Sequence, residues 1–264
     1  MKKFKEIAAW TGILLYLFIT LGFISKEQKS AQCTQVLVEI CDKTENNFVD
    51  EQDVLNMIQD KGDVLVGQNL DSINLNKLEK LIYMHPSVRN VEIYTLANGK
   101  MKIDVSQRVP IIRIINQNSE SYYIDQAGAL MPLSDKYTAH VLVANGFINE
   151  PYELRYTKDV VQFAENDTTG QGKVLSDLYK LSEFFLEDDF WKSQIEQIFV
   201  NKNGEYELVP RVGSHLIILG SIDQYKKKIR NLKALYMDGL RKHGWNQYRL
   251  INLKYEGQII CSKI

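Results

Sequence analysis

The side chains in this chain that could do chemistry stand apart from one another. Its histidines, His85, His140, His215 and His243, fall in no metal-binding spacing: there is no His-Glu-x-x-His and no pair of cysteines two residues apart. They read as helix-end or surface residues. No serine occupies a Gly-x-Ser-x-Gly elbow, so acyl transfer has no nucleophile. Gly170-Gln171-Gly172-Lys173 resembles the end of a phosphate loop, but the earlier glycine is missing and Val174 follows the lysine, so a solvent loop is expected. Glu187-Asp188-Asp189 supplies adjacent carboxylates. Adjacent residues diverge on a helix, and a solvated helix end is the expectation. These exclusions leave no catalytic residue, cofactor, metal or small-molecule substrate to assign, and the chain reads as a binding protein and not an enzyme.

Lys226-Lys227-Lys228 with Arg230 and Lys233 is the one local charge cluster, read as a solvated helix face; the alternative is a patch for an acidic partner or an anionic membrane surface. Asn166-Asp167-Thr168 fits a glycosylation sequon, a pattern that is uninformative if the protein is bacterial. Formal net charge is −1, which provides no general attraction to nucleic acid. With 264 residues, 45% hydrophobic and 25% charged, the chain can bury one large core or two small ones. Cys33 and Cys41 lie eight apart in extended sequence, roughly 26 Å at about 3.3 Å per residue, and Cys261 is remote. No structural disulfide is expected unless the Cys33 segment folds back.

The stretch Leu75 to Ile114 organises the first half. Leu75, Leu78 and Ile82 form an apolar stripe on a short helix, widened by Leu81 and ended by Pro86. Two strands follow, with Val91 and Ile93 and then Met101, Ile103 and Val105 facing inward, joined at Asn98-Gly99. Upstream, Thr34 to Asp42 reads as a strand with Val36, Val38 and Ile40 on one face. Asp50 reads as the N-cap of a helix that buries Val54, Met57 and Ile58 and stops at Gly62. The order is strand, helix, helix, strand, strand.

Val109-Pro110 marks a boundary or an edge position. Beyond it, short strands are expected over Ile111 to Ile115, Tyr122 to Ile124 and Val141 to Ala144, with turns at Gly128 and at Asn145-Gly146. Asn149 to Gly172 reads as an exposed loop, and a helix is expected from Lys173 to Glu187 with Leu178, Leu181 and Phe185 inward. A hairpin turning at Asn203-Gly204 and a strand from His215 to Leu219 come next. Ile222 to Leu240 is the longest soluble helix expected, carrying Tyr225, Ile229, Leu232 and Tyr236 on its stripe, before closing strands at Arg249 to Tyr255 and Gln258 to Ile264. The fold class is α+β.

Ile7 to Ile24 contains no charge in 18 residues, close to the length that crosses a bilayer. It is too long for a signal-peptide core, and Ser25-Lys26-Glu27-Gln28 is a poor cleavage site, so an uncleaved anchor is expected. Ser30-Ala31-Gln32-Cys33 lacks the large apolar residue of a lipoprotein box. Lys2, Lys3 and Lys5 precede the segment and Lys26 and Lys29 follow it, a narrow count in favour of a cytoplasmic N-terminus.

The element order, with "NFVDEQDV", "LEKLIYMHPSVRNVEI" and "GKMKIDVSQRVPIIRI", resembles a POTRA domain, and more narrowly that of the bacterial cell-division family FtsQ/DivIB. "YYIDQAGALMPLS", Tyr122 to Ser134, is similar to the opening of that family's β-rich second domain. The resemblance implies a short cytoplasmic tail at 1–6, a transmembrane helix at 7–24, a linker at 25–33, a POTRA domain at 34–107 and a β domain at 108–264. It implies a single-pass protein of the cytoplasmic (inner) membrane, its bulk periplasmic or otherwise extracytoplasmic, at the division septum. The implied role is a divisome scaffold that recruits the FtsB/FtsL (DivIC-like) pair through the last strand of the β domain. Asn252-Leu253-Lys254-Tyr255 matches the family's phrase before that strand. The implied partner-binding residues are Lys254, Tyr255, Gly257, Gln258, Ile259, Ile260, Cys261 and Ser262. The family's aromatic residue after Gly257 is missing. The competing reading is a POTRA-bearing chaperone or secretion or outer-membrane assembly component, although the repeated alternating strands of a membrane barrel are not evident.

Overall fold

In a computed structural model, the residues described are 10–20, 32–42, 46–62, 64–152, 159–166, 172–241 and 244–263. The chain divides into two compact units, Met1–Gln107 and Arg108–Ile264. The part of the apolar N-terminal stretch that is described, 10–20, is helical (α1). Among the described residues no helix is long and apolar enough to cross a membrane, and the rest of Ile7–Ile24 lies outside them.

In the first unit the expected order holds. Strand β1 (Gln35–Ile40) precedes helices α2 (Glu51–Asp60) and α3 (Leu75–Tyr83), and the hairpin β2 (Val88–Thr95) and β3 (Lys100–Gln107) follows. Asp50 caps α2: its carboxylate accepts from Asp53 N while Asp53 accepts from Asp50 N, two of the helix's orphan donors satisfied at once. Val54 and Ile58 from α2 and Leu78 and Ile82 from α3 are buried, together with Val91, Ile93, Met101, Ile103 and Val105 from the hairpin. β3 is central, antiparallel to β2 and parallel to β1. A long connection is therefore needed between β1 and β3, and the two helices and β2 supply it.

At Asn98-Gly99 only Gly99 adopts a positive φ, +77°. Leu96 and Lys100 pair through Leu96 N and Lys100 O, which leaves a three-residue loop closed by Gly99 N donating to Leu96 O. The turn is thus the three-residue type with glycine in the left-handed position, not a two-residue turn with both residues there.

In the second unit, among the described residues, a nine-stranded sheet runs β12-β11-β10-β9-β8-β7-β4-β5-β6. Its strands are β4 (Pro110–Ile115), β5 (Ser121–Asp125), β6 (Leu130–Pro132), β7 (Leu142–Gly146), β8 (Ile195–Val200), β9 (Tyr206–Pro210), β10 (Leu216–Gly220), β11 (Tyr248–Asn252) and β12 (Ile260–Lys263). Pro110 opens β4, where its missing N–H takes no place in the ladder. Helices α4 (Val160–Asn166), α5 (Lys173–Leu186), α6 (Asp189–Gln194) and α7 (Tyr225–Ala234) join one buried cluster with the strands. Leu178, Leu181 and Phe185 of α5 and Ile229 and Leu232 of α7 meet Ile112, Ile114, Ile198, Leu208, Ile217 and Ile251 there.

Several expectations are corrected. Asn145-Gly146 is not a turn but the end of β7, paired in parallel with Phe199-Val200. Gly146 has φ +103°, and a Cβ there would collide with the Val200 carbonyl oxygen, so the strand needs glycine for close backbone approach. The region read as a loop from Asn149 to Gly172 contains α4, while 153–158 and 167–171, which include most of the sequon and the Gly170-Gln171 pair, lie outside the described residues. The long helix starts at Tyr225, not Ile222, and continues from Leu235 to Leu240 as a π-helix. β11 stops at Asn252 and β12 begins only at Ile260.

Candidate partner-binding edge

The sheet of the second unit has two ends, and they differ. At one end, Leu130 and Met131 of β6 are fully buried, Arg108 Nη2 donates to the Leu130 carbonyl at 3.0 Å, and Pro132 has no N–H to offer. That edge is closed to another strand. At the other end, β12 pairs with β11 from Asn252↔Ile260 to Tyr248↔Lys263, and its second side is unpaired among the described residues. A strand edge of this kind carries a row of open donors and acceptors.

The eight residues expected to bind a partner lie together on and before that edge, in different settings. Lys254 lies just past β11, held by Asn252 Oδ1 at its backbone N–H, with Nζ 2.5 Å from Glu205. The Lys254 ammonium keeps the Glu205 carboxyl below its usual range. Lys254 is therefore engaged within the unit. Tyr255 is 51% exposed in the bend that follows. Gly257 has φ +73° and nothing within 4 Å of where a Cβ would stand, so it turns the chain without being crowded. Gln258 is exposed, and Ile259 packs against the buried cluster. On β12 itself Ile260 is 42% exposed, whereas Cys261 turns inward beside Ile251 and Ser262 pairs with Leu250. Burial pushes the Cys261 thiol up, away from the reactive thiolate. All three cysteines are free thiols.

Between this segment and the start of α7 lies a groove of about 240 Å³, lined by Lys227, Lys228, Asn231, Glu256, Gln258 and Ile259 among others. The lysine run is less free than its sequence implies. Lys227 approaches Glu256 at 3.5 Å, and Lys228 Nζ donates to the Leu219 and Ser221 carbonyls at 3.0 and 2.9 Å. Burial depresses the Lys228 ammonium's pKa below the usual value. Lys233 reaches Asp188, which also accepts from Phe190 N as the N-cap of α6; the Lys233 hydrogen bond is the main reason that its carboxyl is lowered. The Glu187-Asp188-Asp189 carboxylates thus form a helix junction.

Of the histidines, His85 closes the turn after α3 by accepting from Ser87 N, and His140 is exposed. His243 lies outside the described residues. His215 corrects the surface expectation: it is 3% exposed, and its Nε2 shares a 2.6 Å hydrogen bond with the Tyr236 hydroxyl, in an aromatic group with Trp191 and Trp245 around Tyr236. Sequence reading also missed Gln107, fully buried. Its Oε1 accepts from Phe48 N and Val49 N at 2.8 and 2.9 Å, and its Nε2 donates to Asn46 O. Neither residue carried a local signal. Among the described residues no cluster of three or more His, Cys, Asp or Glu could hold a metal.

Comparison with known families bears directly on this arrangement. Residues 31–106 match the POTRA-like domain, and residues 109–262 match the family described as FtsQ/DivIB, C-terminal related. The chain belongs to the FtsQ/DivIB family. The second match covers most of the described nine-stranded unit, including β11, the Lys254–Gly257 bend and most of β12. FtsQ/DivIB proteins are non-catalytic division-site membrane proteins, so the chain is a member of a cell-division scaffold family. No curated protein matches the chain.

Proposed function

We propose that this protein is a single-pass scaffold of the division septum, anchored in the cytoplasmic membrane by Ile7–Ile24 with its N-terminus inside, and that it recruits an FtsB/FtsL-type (DivIC-like) pair. In this reading a strand from the FtsB-like partner adds to β12 and extends the nine-stranded sheet. Lys254, Tyr255, Gly257, Gln258, Ile259, Ile260, Cys261 and Ser262 form the contact. The observation that carries the reading is the difference between the two sheet ends: β6 is buried and blocked, while β12 is unpaired and presents Ile260. Membership of FtsQ/DivIB supports a division partner over an unrelated one. The absent aromatic after Gly257 leaves Tyr255 and Ile260 as the exposed large apolar side chains at the contact. The test is binding of the organism's own FtsB/FtsL-type pair to the full chain and to a chain truncated after Tyr255, with folding followed by circular dichroism. Loss of binding in a folded truncated chain is expected. Equal binding by both chains would move the interface away from β12.

A further inference from the structure

Along β10 to β12 the side chains alternate across the sheet. Ile217, Leu219 and Ile251 are fully buried under the helices, and Cys261 packs toward the same side. Their neighbours Leu216, Ile218, Leu250 and Ile260 therefore turn to the opposite face. The registers set Leu216 beside Leu250, Leu250 beside Ser262, and Ile218 in line with Asn252 and Ile260. Leu216, Ile218 and Leu250 are half-buried and Ile260 is 42% exposed. The solvated face of a one-sided sheet is ordinarily polar. An aliphatic band there that runs out to an unpaired edge marks a contact surface.

We infer that the strand completing β12 is amphipathic in a defined sense, with apolar side chains at every second position on the face away from the helices and polar ones on the helix side. The inference rests on the edge-addition reading above and gives the chemistry of the partner segment. A strand that pairs with β12 cannot choose its sides, because the pleat fixes a period of two. The residue opposite Ile260 stands on the face of the band, at a Cβ separation of about 4.5–5.5 Å, and the residue two positions along stands opposite Ser262, the small side chain that separates it from Leu250. Apolar residues at those positions would take Ile260 out of water. On the helix side, the groove just before β12 is lined by Lys227, Asn231, Glu256 and Gln258 together with Leu253 and Ile259, and its charged and amide groups offer partners to polar side chains of an added strand.

The test uses the full chain in detergent micelles, with the FtsB/FtsL-type pair as probe in an equilibrium binding assay. Ile260→Lys and Leu250→Lys keep the edge backbone but place charge in the band, and each is expected to weaken binding by at least about tenfold, as loss of a central apolar contact does. Glu196→Gln, a half-exposed carboxylate on β8 four strands away from β12, is expected to stay within about twofold of the parent. Truncation after Tyr255 is expected to abolish binding. If truncation abolishes binding but both lysine variants bind like the parent, the inference is overturned and the edge reading stands. If the truncated chain binds as well as the intact one, both fall. Circular dichroism and thermal unfolding verify folding, and Ile260→Lys, at an exposed edge, remains informative if Leu250→Lys does not fold.

Discussion

Gln107 shows how a single polar side chain can hold a connection in place. At the end of β3 it satisfies two backbone N–H groups and one carbonyl of the 46–49 segment, and its own N–H donates to Asp42. Gln107→Ala leaves those groups buried without partners and is expected to lower stability by about 1–3 kcal/mol. The measurement is a urea midpoint that falls at unchanged m. His215 belongs to the same scale. Burial pushes its imidazole below the usual range, against a smaller opposing contribution from the Trp245 backbone, so the unfolded chain binds the proton more readily than the folded one. Stability is then full above about pH 6.5 and declines as pH falls from there toward the folded-state value, by up to about 1.4 kcal/mol per unit of depression. Thermal unfolding at pH 7.5 and 5.5 should show a smaller difference in His215→Gln than in the parent; an unchanged difference would assign the pH dependence elsewhere. At the proposed binding edge, Tyr255→Ala removes a half-exposed ring from the bend before β12 and is expected to abolish partner binding while the circular dichroism spectrum is unchanged.

At the scale of elements, local rules decided most starts and stops. The Asp50–Asp53 capping box sets the start of α2, and Asp50→Ala is expected to destabilise the protein by about 1 kcal/mol, read from the melting temperature. α2 ends as expected, with Gly62 at φ +80° just past it. β7 obeys a different rule. Asn145-Gly146 reads as a turn by composition, yet Gly146 is required inside a strand because Val200 of β8 passes too close for any side chain. Gly146→Ala should therefore destabilise by several kcal/mol, combining a strained φ with a steric clash, about 1–3 kcal/mol from the backbone conformation alone. Gly204→Ala is the matched comparison, because Gly204 also has a positive φ but open space around it. If both substitutions lower the melting temperature equally, the close approach at Gly146 contributes nothing.

On the scale of the whole molecule, each unit has its own sheet and its own buried residues. A fragment of residues 108–264 is expected to unfold cooperatively by itself, with near-ultraviolet circular dichroism from the Trp191, Tyr236 and Trp245 group lost in one transition. A fragment without that signal would show that this core depends on the first unit. The functional reading is likewise a property of the whole sheet: among the described residues β12 stands at one end of the nine-stranded order, with β11 on one side and no strand on the other.

The sequence by itself determined the element order of the first unit, the cap of α2, the inward faces of β2 and β3, and the family resemblance. The first three rest on periodicity and capping chemistry that act over a few residues, and the resemblance rests on matching residue phrases. The tertiary structure alone decided that the β6 end of the nine-stranded sheet is closed, why Gly146 is glycine, and that His215 and Gln107 are buried. Each depends on a partner far away in sequence: Val200 for Gly146, Tyr236 for His215, and Phe48 and Val49 for Gln107. The end of β11 at Asn252 belongs with them, because Leu253 N already donates across to Ile218 O, and the chain then bends through Tyr255 before β12 begins. A strand's pattern fixes which of its faces is apolar, but only its neighbours decide whether its edge is free.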